Sequence, residues 1–278
     1  PITLIASYAG KTEDDFVIEF TWNDASIHFV DVLHAAGAIP LPPYIKRGAE
    51  AIDAVRYQTI FGKYDGSVAA PTAALHFTNA VFNKLKQNGV EKAFITLNVG
   101  AGTFKPVKSQ SLAEHHMHGE DFTISKEVLE KIVNSKRIIA VGTTTLRTPE
   151  SIHWLGVKLK KGTLKNDWVL GQWEAYGLDD AITYKESITA IIGWMKIRSL
   201  TELHCRTSLL IAPGYTFKIP AALITNFHQP RSTLLLLVAA FIGEDWKKIY
   251  EHALEKDYRF LSYGDSSLLW RKEMPAYR

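Results

Sequence analysis

The residues best equipped for chemistry lie in polar segments that follow apolar, strand-like runs. Ala221 to Ile224 leads into Thr225-Asn226-Phe227-His228-Gln229-Pro230-Arg231-Ser232-Thr233, which gathers an amide, an imidazole and a guanidinium. A helix apolar on almost every side follows, with Ser232 or Thr233 suited to cap it. A helix with so little polar surface is expected to be deeply buried. Arg137 to Gly142 has the continuous apolar pattern of a central parallel strand and opens into Thr143-Thr144-Thr145-Leu146-Arg147, with the helix expected beyond Ser151. Val90 to Val99 reads as a strand running into Gly100-Ala101-Gly102-Thr103. Turns where strand meets helix set side chains beside free backbone N–H groups, which is where α/β proteins hold anions and nucleotides.

Each of these segments also has a plainer reading. His116, His118 and Glu120 are spaced two apart, so an extended strand would present them on one face. Two imidazoles and a carboxylate are competent to hold a metal ion. The spacing is less distinctive than that of most histidine metal motifs, so a polar loop is favoured over a metal site. His118 and Glu120 stay candidates for binding substrate or moving a proton. Gly100-x-Gly102 lacks the third glycine of a dinucleotide fingerprint and serves equally as a tight turn. The threonines before Arg147 suit a ribose, carboxylate or phosphate, and helix capping explains them as well. His76, after Pro71-Thr72-Ala73-Ala74-Leu75, is either a core histidine or part of the same site. The basic run Lys158 to Lys165 is more often a solvated loop than a nucleic-acid contact.

Ile2 to Trp22 reads as a hairpin across Ala9-Gly10-Lys11-Thr12, and a lone hairpin must belong to a larger sheet or barrel. Helices are expected over Ile27 to Ala36 behind Asp24 or Ser26, over Ala49 to Phe61, over Asn79 to Gln87 behind Thr78, and after Ser125 to about Asn134. Residues 156–208 read as an insertion packing on the sheet. The recurring strand, polar turn and helix argue for an α/β fold with functional loops at strand ends. The chain of 278 residues has a net charge of +3, which permits a nucleic-acid partner without arguing for one. Its one cysteine, Cys205, excludes an intrachain disulfide and points to a reducing, cytoplasmic setting. No apolar run is long enough to span a bilayer as a helix, so no membrane association is expected.

Seven segments occur in a specific order: Ala69 to Phe77, Val99 to Val107, His116 to Glu120, Ala140 to Arg147, Pro213-Gly214-Tyr215, Thr225 to Leu235, and Tyr258 to Asp265. As an ordered set, covering about residues 37–270, they resemble the S-adenosylmethionine:tRNA ribosyltransferase-isomerases of queuosine biosynthesis. The resemblance implies a large mixed α/β domain and a smaller inserted β-barrel domain. Residues 1–25 would be the last hairpin of that barrel, with its remainder upstream of Pro1, and residues 26–278 the catalytic domain. It implies transfer and isomerisation of the ribosyl group of S-adenosylmethionine onto 7-aminomethyl-7-deazaguanine in the tRNA anticodon, with release of adenine and methionine. S-adenosylmethionine is then a consumed substrate, no cofactor or metal is required, and a monomer is expected.

On this reading His228 or His118 is the general base, with Glu120 and His76 as further catalytic candidates. Arg147 or Arg231 holds a carboxylate or phosphate. Asn226, Thr144 and Asp265 suit ribose or base edges, and Tyr263 and Phe227 suit stacking on a base. Thr72, Gly102, Thr103, Ser232 and Arg259 complete the expected substrate-binding set. The alternatives are a metal-dependent hydrolase built on His116, His118 and Glu120, or a tRNA-binding relative without catalysis.

Overall fold

A computed structural model describes residues 2–12, 16–63, 67–100, 112, 114–165, 167–179 and 181–272. Its centre is helix α5 (Thr143–Lys160), buried at every position from Leu146 to Lys158. Seven of those positions carry polar or charged side chains (Arg147, Thr148, Glu150, Ser151, His153, Lys158) or a proline, so no apolar stripe announces the helix. The helix begins at Thr143, directly after Gly142, rather than beyond Ser151. Pro149 lies inside the helix, where it leaves one backbone hydrogen bond unmade.

Two sheets are joined through this helix. The first has strand order β3 (Thr96–Asn98), β4 (Glu120–Ser125), β7 (Glu202–Thr207), β6 (Val169–Leu170). The second runs β5 (Ile139–Val141), β8 (Ala222–Asn226), β9 (Ser266–Trp270). Strands β5 and β8 are parallel, whereas β8 and β9 are antiparallel with Asn226 opposite Ser266. The short, apolar β5 is therefore an edge strand with Ile139 exposed, and β8 takes the centre. Among the described residues, β1 (Leu4–Lys11) and β2 (Phe16–Trp22) pair only with each other, with a bulge between Tyr8 and Gly10.

Residues 156–208 are woven into the core rather than laid upon it. They contribute β6, β7 and helix α6 (Tyr184–Ile197), which crosses α5 at Gly156. A Cβ there would stand 2.5 Å from the Ser187 carbonyl oxygen, so only glycine permits the approach. The basic run is engaged locally: Lys158 pairs with Glu174, Lys160 with Glu186 and Lys161 with Asp179.

Side-chain caps fall where sequence places them for α3 (Asn79–Gln87, Thr78), α4 (Lys126–Asn134, Ser125) and α7 (Thr233–Ile242, Ser232). Helix α1 (Phe29–Ala36) starts instead behind His28, because the Asp24 carboxylate accepts from Ser26. The helix expected over Ala49 to Phe61 reduces to α2 (Asp53–Arg56), and the strand expected over Val90 to Val99 reduces to β3. Helix α7 is buried only at Leu237, Val238, Phe241 and Ile242, on the side facing the core, so its apolar sequence overstates its depth.

Fully buried Glu150 accepts from Tyr215 Oη at 2.7 Å and from the backbone N–H groups of Lys218 and Ile219, each at 2.9 Å. Burial pushes its carboxyl above the usual range, and these donors oppose the shift. Glu150→Ala would strand three buried donors, each costing about 1–3 kcal/mol. The expected loss is about 3 kcal/mol or more in urea-unfolding stability, with Glu150→Gln recovering part of it.

Candidate active site

The C-terminal ends of β5 and β8 lie side by side, held beyond the last strand pair by Gly142 N–H donating to Ile224 O at 2.8 Å. Gly142 has φ +95°, a left-handed turn that glycine adopts without strain and that delivers the chain into α5. From β8 emerge Asn226, Phe227 and His228. Asn226 is 3% exposed; its Oδ1 accepts from Thr72 Oγ1 at 3.1 Å, while its Nδ2 is buried with no partner. Thr72 begins a 3-10 turn, Thr72–His76. Upstream of it, Ser67 Oγ donates to Leu97 O and accepts from Val99 N–H, which ties the turn to β3.

Arg147 lies on the fifth residue of α5 and pairs through Nη2 with Glu120 Oε2 at 2.5 Å. Both side chains are buried, yet Nε and Nη1 of Arg147 have no partner. Glu120 opens β4 opposite Thr207, whose Oγ1 accepts from Ser151 Oγ of α5 at 2.8 Å. The helix thus locks the two sheets at one end, where three buried N–H-bearing nitrogens stay unsatisfied. A buried donor without a partner costs about 1–3 kcal/mol, so such a group is readily understood as a receptor for ligand acceptors.

His118 is half-buried just before Glu120 and makes no hydrogen bond among the described residues. Gln172 clamps its loop, donating to His115 O at 2.6 Å and accepting from Met117 N–H at 2.9 Å. Burial pushes His115 down, reinforced by neighbouring His118 and His116. His116, His118 and Glu120 do not share a strand face: β4 begins only at Glu120, His116 is exposed, and Glu120 is engaged by Arg147. No group of three metal-ligating side chains occurs among the described residues.

Asp265 precedes β9 beside Asn226's register partner. The backbone N–H of Arg259, at 2.8 Å, and then its guanidinium hold the Asp265 carboxyl below the usual range, with a smaller contribution from His76. His76 and Arg259 are exposed at the rim, and Thr144 is half-buried in the first turn of α5. Tyr263 is turned away from this centre: its hydroxyl donates to Asp53 Oδ1 at 2.8 Å, and burial together with that bond pushes it up to about 12. Asp53 also binds the Arg47 guanidinium bidentately at 2.7 and 2.8 Å, which holds its carboxyl far below the usual range. Gln172 carries no sequence signal because its partners are distant in the chain, and Asp53 pairs locally with Arg47 and Glu50 but meets Tyr263 only across 210 residues.

Several expected roles change. Phe227 is buried within an aromatic cluster, its centroid 5.4 Å from Tyr250, 5.7 Å from Tyr258 and 5.3 Å from Phe260, so it packs among protein rings. His228 is buried with Nε2 bonded to Thr225 Oγ1 at 2.9 Å and its N–H donating to Tyr250 Oη at 3.0 Å. Burial pushes its imidazole down to about 4, so it is a weak base held in place by neighbours. Ser232 is the N-cap of α7, accepting from Leu235 N–H and donating to Gln229 O. Arg231 is exposed in a left-handed turn at φ 58°. Gly102 and Thr103 lie outside the described residues.

The chain belongs to the family described as queuosine biosynthesis proteins, whose model matches residues 2–269. Among curated relatives, the S-adenosylmethionine:tRNA ribosyltransferase-isomerase of Herminiimonas arsenicoxydans is 42% identical over 245 residues, covering 86% of this chain and 60% of that protein. The enzyme of the same description from Burkholderia pseudomallei is 40% identical over 260 residues, covering 90% and 62%. The chain therefore spans about 60% of the length of these relatives. A crystal structure of S-adenosylmethionine tRNA ribosyltransferase from Thermotoga maritima aligns with a TM-score of 0.45 at 32% identity, covering 70% of this chain and 50% of that one.

The depressed His228 imidazole has a pH consequence. The unfolded chain takes up its proton near 6.5, whereas the folded chain resists until about 4. Protonation therefore favours unfolding, and the stability that His228 contributes above pH 6.5 is lost as pH falls toward 4. Urea titrations across this window are expected to show a loss of about 3 kcal/mol from this group. His228→Gln is expected to flatten that slope.

Proposed function

We propose that this chain carries the catalytic centre of a transferase that moves the ribosyl group of S-adenosylmethionine onto 7-aminomethyl-7-deazaguanine in a tRNA anticodon. The product is epoxyqueuosine-tRNA, with adenine and methionine released. The observation that carries the reading is the unpaired Asn226 amide, buried where β8, β9 and the Thr72 turn meet in a chain of the queuosine biosynthesis family. An amide donor held by its own oxygen is suited to an acceptor atom of a ribose or purine edge.

The reaction needs a base to remove the ribose 5′ proton acidified by the sulfonium. The aminomethyl nitrogen must then attack, adenine must leave, and ring rearrangement must expel methionine. His118 fits the base role better than His228, because it is unbonded and partly accessible. Glu120 serves through Arg147, and His76, Asp265 and Arg259 form a polar rim for the incoming substrates. S-adenosylmethionine is consumed and no cofactor enters the reading. The partner is a tRNA, the protein acts as a cytoplasmic monomer, and residues 1–25 belong to a barrel domain attached to the catalytic domain at 26–278. Among the described residues no helix is long and apolar enough to cross a membrane.

Incubation with S-adenosylmethionine and tRNA bearing the aminomethyl base is expected to yield adenine, methionine and the mass-shifted nucleoside. His118→Ala is expected to slow adenine release about 10²-fold or more while tRNA binding persists. Adenine release at the parent rate would remove His118 from the chemistry, and a metal-dependent hydrolysis would instead show stoichiometric metal in the purified protein.

A further inference from the structure

Two guanidinium groups outside helix interiors, Arg231 and Arg259, lie near the site but differ from Arg147 in kind. Arg231 is exposed in a turn, and Arg259 is exposed with its Nη2 already on Asp265. The Arg147 side chain is only 5% exposed, and Glu120 takes one of its three nitrogens, leaving Nε and Nη1 without acceptors. The charges of Arg147 and Glu120 cancel each other. What remains is the positive end of an 18-residue helix whose first turn lies immediately N-terminal to Arg147. A site with unfilled charged donors at a helix N-terminus favours an anion.

We propose that Arg147 receives the carboxylate of the amino-acid arm of S-adenosylmethionine, with Glu120 fixing the guanidinium in position. This assignment rests on the proposed function and sharpens it. A carboxylate at the end of a flexible chain can reach a nearly enclosed side chain, whereas an RNA phosphodiester is flanked by sugars on both sides. The Asn226 Nδ2 donor, on the strand beside the entry to α5, marks where the nucleoside end of the same ligand would lie. On this assignment Arg147 takes the carboxylate end of the ligand and Asn226 its nucleoside end.

The test compares S-adenosylmethionine with its decarboxylated analogue, which keeps the sulfonium, amine and nucleoside. Calorimetric titration of the parent protein is expected to favour S-adenosylmethionine by about 10- to 100-fold, as a charge-assisted pair implies. Arg147→Met is expected to bind both ligands within about twofold of each other, chiefly by losing affinity for the carboxylated one. Arg147→Gln serves the same comparison if the methionine variant does not fold, and Glu120→Gln is expected to retain much of the preference. Full discrimination by a folded Arg147→Met or Arg147→Gln variant would overturn the assignment. So would a variant whose tRNA affinity falls while its preference between the two nucleosides stays intact, since Arg147 would then be a phosphate receptor. Failure of the parent protein to bind either nucleoside would overturn the proposed function itself, and the assignment with it.

Discussion

The constraint on which the rest depends is that α5 is buried while carrying a polar sequence. Each polar group along it must find a partner inside the protein, because water is excluded. Glu150 finds three donors on the Tyr215–Ile219 segment, Ser151 finds Thr207 on β7, and His153 finds Ser187 on α6 at 2.9 Å. These bonds fix the helix against both sheets and α6, and so fix where its N-terminus sits. Two side chains are left incomplete: His153 has its Nε2 without a partner, and Arg147 has one nitrogen anchored and two open. The open charged donors therefore lie in the opening turns of the helix, whereas its later turns leave a single imidazole nitrogen open.

Electrostatics at the site are correspondingly restrained. The buried cation is balanced by one carboxylate, and Asp265 is held ionised at the rim by Arg259. His228, which by residue type is the obvious proton acceptor, is kept neutral by burial.

Local signals were legible in the sequence and long-range ones were not. Thr78, Ser125 and Ser232 cap helices as their types and positions imply, since a cap is decided within four residues. Asn226 bonds Thr72 and Arg147 pairs with Glu120, each pair joining segments that local sequence does not relate. Helix α5 was hidden because its burial comes from polar pairing across the fold, not from an apolar stripe. Helix α7 misled in the opposite sense, since an apolar sequence does not specify which face the protein covers. Phe227 and His228 are suitable residue types on a suitable turn, but the Phe227 ring packs on Tyr250, and the His228 backbone N–H bonds Tyr250 while its ring bonds Thr225, contacts that local sequence does not announce. Asp53 gave no hint, because what makes it matter is Tyr263.

The bonds that complete this end of the fold join parts of the chain far apart in sequence: 154 residues separate Thr72 from Asn226, and, away from the centre, 210 separate Asp53 from Tyr263. Contacts of such separation carry a large loop-closure cost and form only when intervening structure has already brought the segments together. During synthesis, Thr72 and Asp53 leave the ribosome long before their partners exist. Assembly of the centre must therefore wait for the C-terminal residues through Asp265, so a chain interrupted before β9 could complete the sheet of β4 and β7 without completing the place where substrates meet.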